Sequence, residues 1–436
     1  MHRIKQLVPQ GIKNIYHLLQ AVLANIVYGF PSGKLKVIGV TGTNGKTTTV
    51  QMIAKILEEA GNKVAVASTI NFKIGDKKWV NDTKFTTLSS FAVQKFIKKT
   101  VRAGCKYLVL ETSSHSLDQY RVWGVKYKIA VITNVTREHL DYHKTMEEYA
   151  KSKEKLFKMV SRNNGTIVVN LDMENPENYL KYSVSNKFGY TAKNQNAKNY
   201  DSKLKIIKAE NIILGMNNSS YQIQNIGYRL QLPGEFNIEN ALAATCAGVS
   251  EGITLETISK ALEKIKNIPG RFEFVQNDKG FNIVIDYAVT PDSLEKLYEL
   301  IGKIKKAESS TKDSIVGKII AVFGACGERD RGKRPIMGNI VSNHADYVIV
   351  TNEDPYGEDP AQIMEEIVAG IKSKRENENF WKILNRRESI KKALKLAKPG
   401  DFIVITGKGA EETMAIGKKR VPWNDRKIVE EELQRI

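Results

Sequence analysis

The sequence predicts an α/β protein in two doubly wound halves, and three observations carry that expectation. Short continuous apolar runs rich in Val and Ile alternate with segments of helical period, first from Val37 and again from Asn282. Strands buried on both faces of a parallel sheet read that way, because helices cover each face. The loop after the first run is glycine-rich and opens directly into a helical pattern, as βα loops at the carboxyl edge of such sheets do. The chain of 436 residues also exceeds what one hydrophobic core supports.

Composition narrows the class further. Hydrophobic residues make up 42% of the chain, enough for packed cores rather than a disordered polymer. Cys105, Cys246 and Cys326 are scattered, which excludes a disulfide frame and a cysteine zinc site and fits a reducing, cytoplasmic setting. The formal charge of +19 invites a nucleic-acid partner. Its Lys and Arg are dispersed rather than clustered with aromatics, so no nucleic acid is expected, while a polyanionic substrate is compatible.

In chain order, residues 1–35 form a helical extension. Ile15 to Phe30 is apolar but interrupted by His17, Gln20 and Asn25, and it begins too late for a signal peptide. A helix packed on the protein is the expectation, with an interfacial membrane helix as the alternative, so membrane contact is not anticipated. Pro31-Ser32-Gly33 ends it. The first domain is then expected over 36–268. Its first strand, Val37-Ile38-Gly39-Val40-Thr41, runs into Gly42-Thr43-Asn44-Gly45-Lys46-Thr47-Thr48. Glycines let backbone N–H groups wrap a phosphate, and the helix N-terminus points its partial positive charge there. Lys46 is placed to reach the outer phosphates and the Thr47 hydroxyl to meet Mg²⁺, a close variant of the phosphate-binding loop of nucleoside triphosphatases.

Further strands are expected at Val64–Ala67, Tyr107–Leu110, Ile129–Ile132 and Thr166–Val169. From Lys203 to Leu232 the pattern alternates, which predicts a small antiparallel patch turning at Asn217-Asn218, with helices following from Asn237 and Thr254. Asn267-Ile268-Pro269-Gly270 reads as a hinge. A Rossmann-like second domain is expected over 269–436, with strands at Asn282–Asp286, Lys318–Phe323, Tyr347–Val350, Lys382–Leu384 and Phe402–Ile405 and a loop from Lys306 to Asp313. It lacks G-x-G-x-x-G, so no dinucleotide is assigned to it.

Three residues outside the loop stand out on physical grounds. Glu111 ends an apolar strand at the carboxyl edge, where a carboxylate beside a phosphate loop is a natural metal ligand. A strand-end cap or ion pair is its structural alternative. His139 follows the strand that ends at Thr133-Asn134, flanked by Glu138 and Asp141, and is equally readable as a ligand or a structural histidine. Lys153 falls inside the stripe Met146, Tyr149, Ala150, Leu156, Phe157 and Val160 of a helix over 146–160. A buried Lys snorkels, pairs with an acid or shifts its pKa down, and the free amine can take up CO₂ as a carbamate.

Thr41–Thr49, Glu111–Arg121, Thr133–His143 and Tyr149–Phe157 together resemble the Mur ligase family, in its tripeptide-synthetase branch. Gly234–Asn240, Pro269–Glu273, Gly327–Pro335 and Gly407–Glu411 extend the resemblance in order over about residues 35–430. It implies an ATP-dependent, ADP-forming amide ligase acting as a monomer on a muramyl-peptide acceptor and a free amino acid in peptidoglycan precursor synthesis. Two Mg²⁺ sites are implied. Thr47 and Glu111 resemble ligands of the first; His139 and carbamylated Lys153 resemble supports of the second. Asn134, Asn237, Asn240, Arg271 and Asp286 resemble nucleotide contacts. Thr86, Thr87, Ser113, Gln119 and Arg121 resemble acceptor contacts, and Arg329, Gly407 and Glu411 contacts to the incoming amino acid.

The sequence also departs from the family pattern. The domain that holds the uridine nucleotide is expected to be missing ahead of the first strand. Val289 and Ala410 stand where the family has His. Glu353-Asp354-Pro355-Tyr356 stands where the diaminopimelate signature reads Asp-Asn-Pro-Arg. Tyr356 in place of Arg, beside two acids, leans towards lysine or ornithine rather than diaminopimelate. The alternatives are a folylpolyglutamate-type ligase, another short Mur-like ligase with a non-nucleotide acceptor, and a nucleotide-binding scaffold without activity. The Ser113-Ser114-His115 run argues against the folate case, and the joint presence of Lys46, Glu111, His139 and Lys153 against the scaffold.

Overall fold

A computed structural model describes residues 9–83, 85–193, 200, 202–309 and 317–436. The chain divides into two units: Met1–Thr136 with Thr145–Lys266, and Arg137–Lys144 with Asn267–Ile436.

The first unit is built on a nine-stranded sheet. Its strands are β1 Lys36–Thr41, β2 Val64–Ala67, β3 Asn71–Ile74, β4 Lys77–Val80, β5 Tyr107–Glu111, β6 Tyr127–Ile132, β7 Thr166–Asn170, β8 Asn186–Thr191 and β9 Leu204–Lys208. The order is β4-β3-β2-β5-β1-β6-β7-β8-β9. The β3–β4 hairpin is antiparallel at one edge and the other pairings are parallel, apart from β2 with β3. β1 lies between β5 and β6, so the chain winds first to one side and then to the other. That reversal opens a crevice at the carboxyl ends of β1, β5 and β6. Helices on both faces explain why β1, β2, β5, β6 and β7 carry almost unbroken apolar runs. Val37, Leu108, Leu110, Ala130 and Ile132 pack with Leu156, Phe157 and Val160 of the helix Met146–Ser161.

Three expectations change here. Leu204–Lys208 does not join the antiparallel patch; it extends the main sheet parallel to β8. The patch itself is β10 Glu210–Leu214, β11 Ser219–Ile223 and β12 Ile226–Leu230, turned between 214 and 219. Alternation alone cannot tell a sheet edge from a separate ribbon, because both leave one face wet. Met146 is 36% exposed, since the first turn of its helix projects beyond the core, while Lys153 is 1% exposed. The helix Gln10–Tyr28 forms, yet it buries only Ala21, Ala24 and Asn25, and its large apolar side chains face outwards.

The second unit has a six-stranded sheet of β13 Glu273–Phe274, β14 Asn282–Asp286, β15 Ile319–Phe323, β16 Tyr347–Thr351, β17 Phe380–Ile383 and β18 Phe402–Thr406. The order is β13-β14-β18-β15-β16-β17, with only β13 antiparallel. A hairpin, β19 Thr413–Ile416 with β20 Lys419–Pro422, stands apart. β17 begins two residues earlier than the pattern suggested, because Phe380 is its buried anchor. The helix Pro291–Ser309 runs through the start of the expected loop. Leu294, Leu297, Tyr298, Ile301 and Ile304 keep the helical period, and the following Lys, Ala and Glu favour its continuation. Residues 310–313 of that expected loop lie outside the described residues.

A bidentate ion pair is buried in this unit. Arg386, on the helix Arg386–Leu396, donates from Nε and Nη2 to the two carboxylate oxygens of Asp425 at 2.8 and 2.6 Å. Both residues are within 2% of full burial. Asp425→Ala leaves that guanidinium uncompensated and is expected to destabilise the protein by about 3–5 kcal/mol. Denaturant unfolding followed by circular dichroism measures it; a change below about 1 kcal/mol would show that water replaces the carboxylate.

Candidate active site

The phosphate loop is shaped by two glycines and held by its neighbours. Gly42 has φ 145 and Gly45 φ 80, values that side chains disfavour. A Cβ at Gly45 would sit 2.1 Å from Asn240 Oδ1, and one at Gly42 would sit 1.9 Å from Thr133 Oγ1. Thr133 Oγ1 donates to Asn44 O at 2.6 Å. Asn134 Oδ1 accepts from the Asn44 backbone N–H at 2.9 Å, and the Thr43 N–H donates to Asn134 O at 2.9 Å. Asn240 takes the Thr49 hydroxyl at 3.3 Å and faces Asn237 across 3.5 Å. Asn134 therefore holds the loop at Asn44 while Asn240 packs against Gly45, and Asn237, bonded to Pro233 O, braces Asn240. Gly45→Ala is expected to weaken ATP binding at least tenfold, by strain at a left-handed position plus the Asn240 clash. Titration with a fluorescent ATP analogue reads that loss; unchanged affinity would mean the loop does not cradle the nucleotide.

Lys46 opens the helix Lys46–Glu59 and donates from Nζ to Thr43 O at 2.8 Å, back across its own loop. Lys153 Nζ donates to Gly42 O at 2.8 Å and lies 4.1 Å from the centre of the Tyr149 ring. Tyr149 OH in turn meets Thr43 Oγ1 at 3.1 Å. Two lysines thus hold adjacent carbonyls of one loop.

Glu111 is 1% exposed at the end of β5 and gathers hydroxyls rather than cations. Thr47 Oγ1 donates to its carboxylate at 3.0 and 3.2 Å. Thr69 adds its backbone N–H at 2.8 Å and its hydroxyl at 2.9 Å. Thr69 was missed from sequence, although it follows β2, which neighbours β5, and so had to reach the same sheet edge. Thr86 Oγ1 lies 3.2 Å from Thr69 Oγ1, within hydrogen-bonding reach. Thr87 donates to the Glu111 carbonyl at 2.8 Å, accepts from the Ser113 N–H at 3.0 Å, and offers its own carbonyl to Arg121 Nη1 at 2.9 Å. Glu111, Thr86, Thr87, Ser113 and Arg121 are therefore one cluster. Gln119 caps the short helix Ser114–Asp118 close by in sequence and is half-buried.

In the second unit the chemistry again lies at the carboxyl edge. Asp286, which ends β14, accepts the Phe272 N–H at 2.7 Å, and burial pushes its carboxyl up against the pull of Arg271. Arg271 stacks over the Tyr287 ring at 4.5 Å. Gly407, just after β18, has φ 109, and a Cβ there would meet Glu353 Oε2 at 2.6 Å. Glu353 accepts from Cys326 Sγ at 3.0 Å, and burial raises its carboxyl pKa. Asp354 Oδ1 accepts both Lys408 Nζ at 2.7 Å and the Ala415 N–H at 2.8 Å. Lys408 also binds Glu411. Burial would lower the Lys408 ammonium, but Glu411 and Asp354 hold it above its ordinary range. Lys408 has no assigned role in the sequence reading, yet it neutralises two of the acids named there. Arg329 lies 5.4 Å from the Tyr356 ring centre.

His139 belongs to the segment Arg137–Lys144, which groups with the second unit, and it adopts φ 57. Beside it, Glu138 accepts from Lys333 Nζ at 2.9 and 3.2 Å, and Lys333 also reaches Val289 O at 2.8 Å. Burial lowers the Lys333 ammonium, and Glu138 more than offsets it. Lys46, Glu111 and Lys153 thus share the first unit, while His139 lies in the other.

Among the described residues no cluster of three or more His, Cys, Asp and Glu side chains is placed to hold a metal unaided. Magnesium asks for less: one or two protein oxygens completed by phosphate and water. The Thr47 hydroxyl and the Glu111 carboxylate, at the mouth of a loop whose glycines leave room for phosphate, fit that demand.

Residues 40–248 match the family profile described as Mur ligase middle domain, and residues 270–409 that described as Mur ligase, glutamate ligase domain. The chain is 39% identical over 422 residues to the UDP-N-acetylmuramoyl-L-alanyl-D-glutamate–2,6-diaminopimelate ligase of Clostridium tetani, covering 95% of this chain and 81% of that one. It is 36% identical to the UDP-N-acetylmuramyl-tripeptide synthetase of a Roseiflexus species, covering 93% and 80%. A solved UDP-N-acetylmuramoyl-L-alanyl-D-glutamate–2,6-diaminopimelate ligase superposes with TM-score 0.58 at 30% identity, over 92% of this chain and 78% of that one. The folylpolyglutamate synthase of Mycobacterium tuberculosis superposes with TM-score 0.65 at 16% identity, over 90% and 96%, a likeness of fold alone. The chain belongs to the Mur ligase family, the ATP-dependent, ADP-forming amide ligases of peptidoglycan precursor synthesis.

Proposed function

We propose that this ligase joins an amino acid to the free carboxylate of a muramyl dipeptide in the cytoplasm. The carboxylate oxygen attacks the γ-phosphorus of ATP, ADP leaves, and an acyl phosphate forms. The amine then attacks the acyl carbon, the tetrahedral adduct expels phosphate, and the amine proton is released. One observation carries the reading. Thr47 and Thr69 share Glu111, while Thr87 bonds the main chain of Glu111 and positions Arg121. The loop thus adjoins the residues this reading gives to the acceptor, which supports transfer of a phosphoryl group between them.

In this reading Lys46 neutralises the outer phosphates and Arg121 holds an acceptor carboxylate. Magnesium, when bound at Thr47 and Glu111, supplies further charge neutralisation at the phosphates. Asn134, Asn237 and Asn240 would serve the nucleotide from the first unit, and Arg271 and Asp286 are proposed for it from the family pattern alone. A carbamate on Lys153 would offer a carboxylate to a second magnesium, a role proposed for His139 from the family pattern alone. The carbamate nitrogen keeps one N–H, so the bond to Gly42 O is compatible with that modification.

The amino acid is the finer question. Tyr356 offers no guanidinium for a second side-chain carboxylate, which supports lysine or ornithine. Asp354 contributes less than its charge suggests, because Lys408 already neutralises it. Glu353 is the remaining acid, with Arg329, Gly407 and Glu411 around the α-carboxylate and amine. The relatives' names print 2,6-diaminopimelate and point the other way. Purified protein, ATP, magnesium and UDP-linked or free muramyl dipeptide should release ADP only when the right amino acid is present. Turnover with lysine or ornithine at least tenfold above diaminopimelate supports the preference. Turnover with diaminopimelate above both removes it, and silence with every amino acid removes the ligase reading itself.

A further inference from the structure

The helix Gln10–Tyr28 carries a feature the ligation chemistry does not use. Ile12, Ile15, Tyr16, Leu19, Leu23, Ile26, Val27 and Phe30 are each 46–63% exposed. At 100° per residue, the seven of them within the helix fall inside an arc of about 120°. The stripe continues for just over four turns. Between Ile12 and Phe30 every exposed residue other than Gly29 is one of these apolar side chains. The opposite arc holds Ala21, Ala24 and Asn25 against the protein. Asn25 Nδ2 donates to Trp123 O at 2.8 Å, and Asn14 Nδ2 donates to Asp118 Oδ2 at 3.1 Å, which fixes the helix's rotation. The apolar face is therefore locked outwards, not caught in one of several rotations. A contiguous patch of this length exceeds the scattered exposure of ordinary surfaces.

The charge around the stripe selects what it meets. The helix and the short turn Pro31–Lys34 that follows it hold Lys13 and Lys34 and no Asp or Glu. Lys13 lies at the edge of the arc, and Lys98 sits 5.7 Å from the Tyr28 ring centre at the far end of the helix. Apolar side chains between basic ones suit the boundary between lipid headgroups and acyl chains. No described helix is long and apolar enough to cross a membrane, so the contact would lie in the plane of one leaflet.

We propose that this face docks on an anionic lipid surface and holds the ligase at the membrane while its catalytic units stay in water. The experiment is flotation of the full chain with vesicles of phosphatidylglycerol and phosphatidylcholine in equal parts, against vesicles of phosphatidylcholine alone. The expected result is flotation with the mixed vesicles, at least tenfold weaker on phosphatidylcholine alone and weakened by added salt. The paired variant Leu19→Glu and Leu23→Glu should lose flotation at least tenfold and keep its circular dichroism and its ATP affinity, because both side chains are exposed. Absence of wild-type flotation overturns the proposal. A dimer in light scattering that the same variant dissolves, with no flotation, overturns it in favour of a second copy of this chain. Flotation unaffected by the variant overturns the helix as the contact.

Discussion

Lys46→Met is expected to cut amino-acid-dependent ADP release by about 10²–10³-fold, the loss typical when one group is removed from the stabilisation of a transition-state charge. The residue is suited to that role by position: it begins the helix whose N-terminus faces the loop, and its Nζ lies 2.8 Å from Thr43 O on the loop itself. In phosphoryl transfer little covalent work falls to the protein, so a lost cation at the phosphates is felt in kcat rather than only in KM. Met keeps the length and apolar stem and removes the charge. The rate should fall while the helix and the Glu111 cluster stay in place, which circular dichroism and the unfolding midpoint would show. A kcat within threefold of the unaltered enzyme would remove Lys46 from the chemistry.

Lys153→Ala is expected to abolish ligation, with a loss of at least 10²-fold, while ATP still binds. Two physical roles compete for this side chain, and rescue separates them. As an ammonium, Lys153 holds Gly42 O at 2.8 Å and stacks on Tyr149, so its loss would slacken the phosphate loop. As a carbamate, formed when the amine adds to CO₂ and releases a proton, it presents a carboxylate to magnesium. Formate or acetate added to the Ala variant should restore part of the rate if the carbamate matters, because a small carboxylate can enter the space left by the side chain. No rescue, with weakened nucleotide affinity, would assign Lys153 to the loop alone. Near-normal activity in the variant would dismiss both roles.

Much of this molecule is legible in its sequence. The phosphate loop could be read because its parts are consecutive: strand, two glycines, Lys46 and Thr47, then a helix. Glu111 could be placed at a carboxyl edge because an apolar run ends there. Lys153 could be called buried because period 3.6 puts it among Tyr149, Leu156 and Phe157. The misses share a cause as well. Thr69 donates twice to a residue 42 positions away. Lys408 neutralises Asp354 across 54 positions, and Lys333 meets Glu138 across 195. No local pattern encodes such pairings. The first helix packs as expected, but through Ala21, Ala24 and Asn25 rather than its large apolar residues, because periodicity gives a stripe but not the side of it that meets the protein.

By itself the sequence determined the two α/β halves, the nucleotide loop and the family, since strand burial, glycine turns and helix starts are local properties of consecutive residues. Only the tertiary structure decided which hydroxyls share Glu111, that Asp354 is already paired, that His139 groups with the second unit, and that the first helix shows its apolar face to the outside. Those facts depend on which distant segments the fold brings within hydrogen-bonding reach, and chain order does not fix that distance.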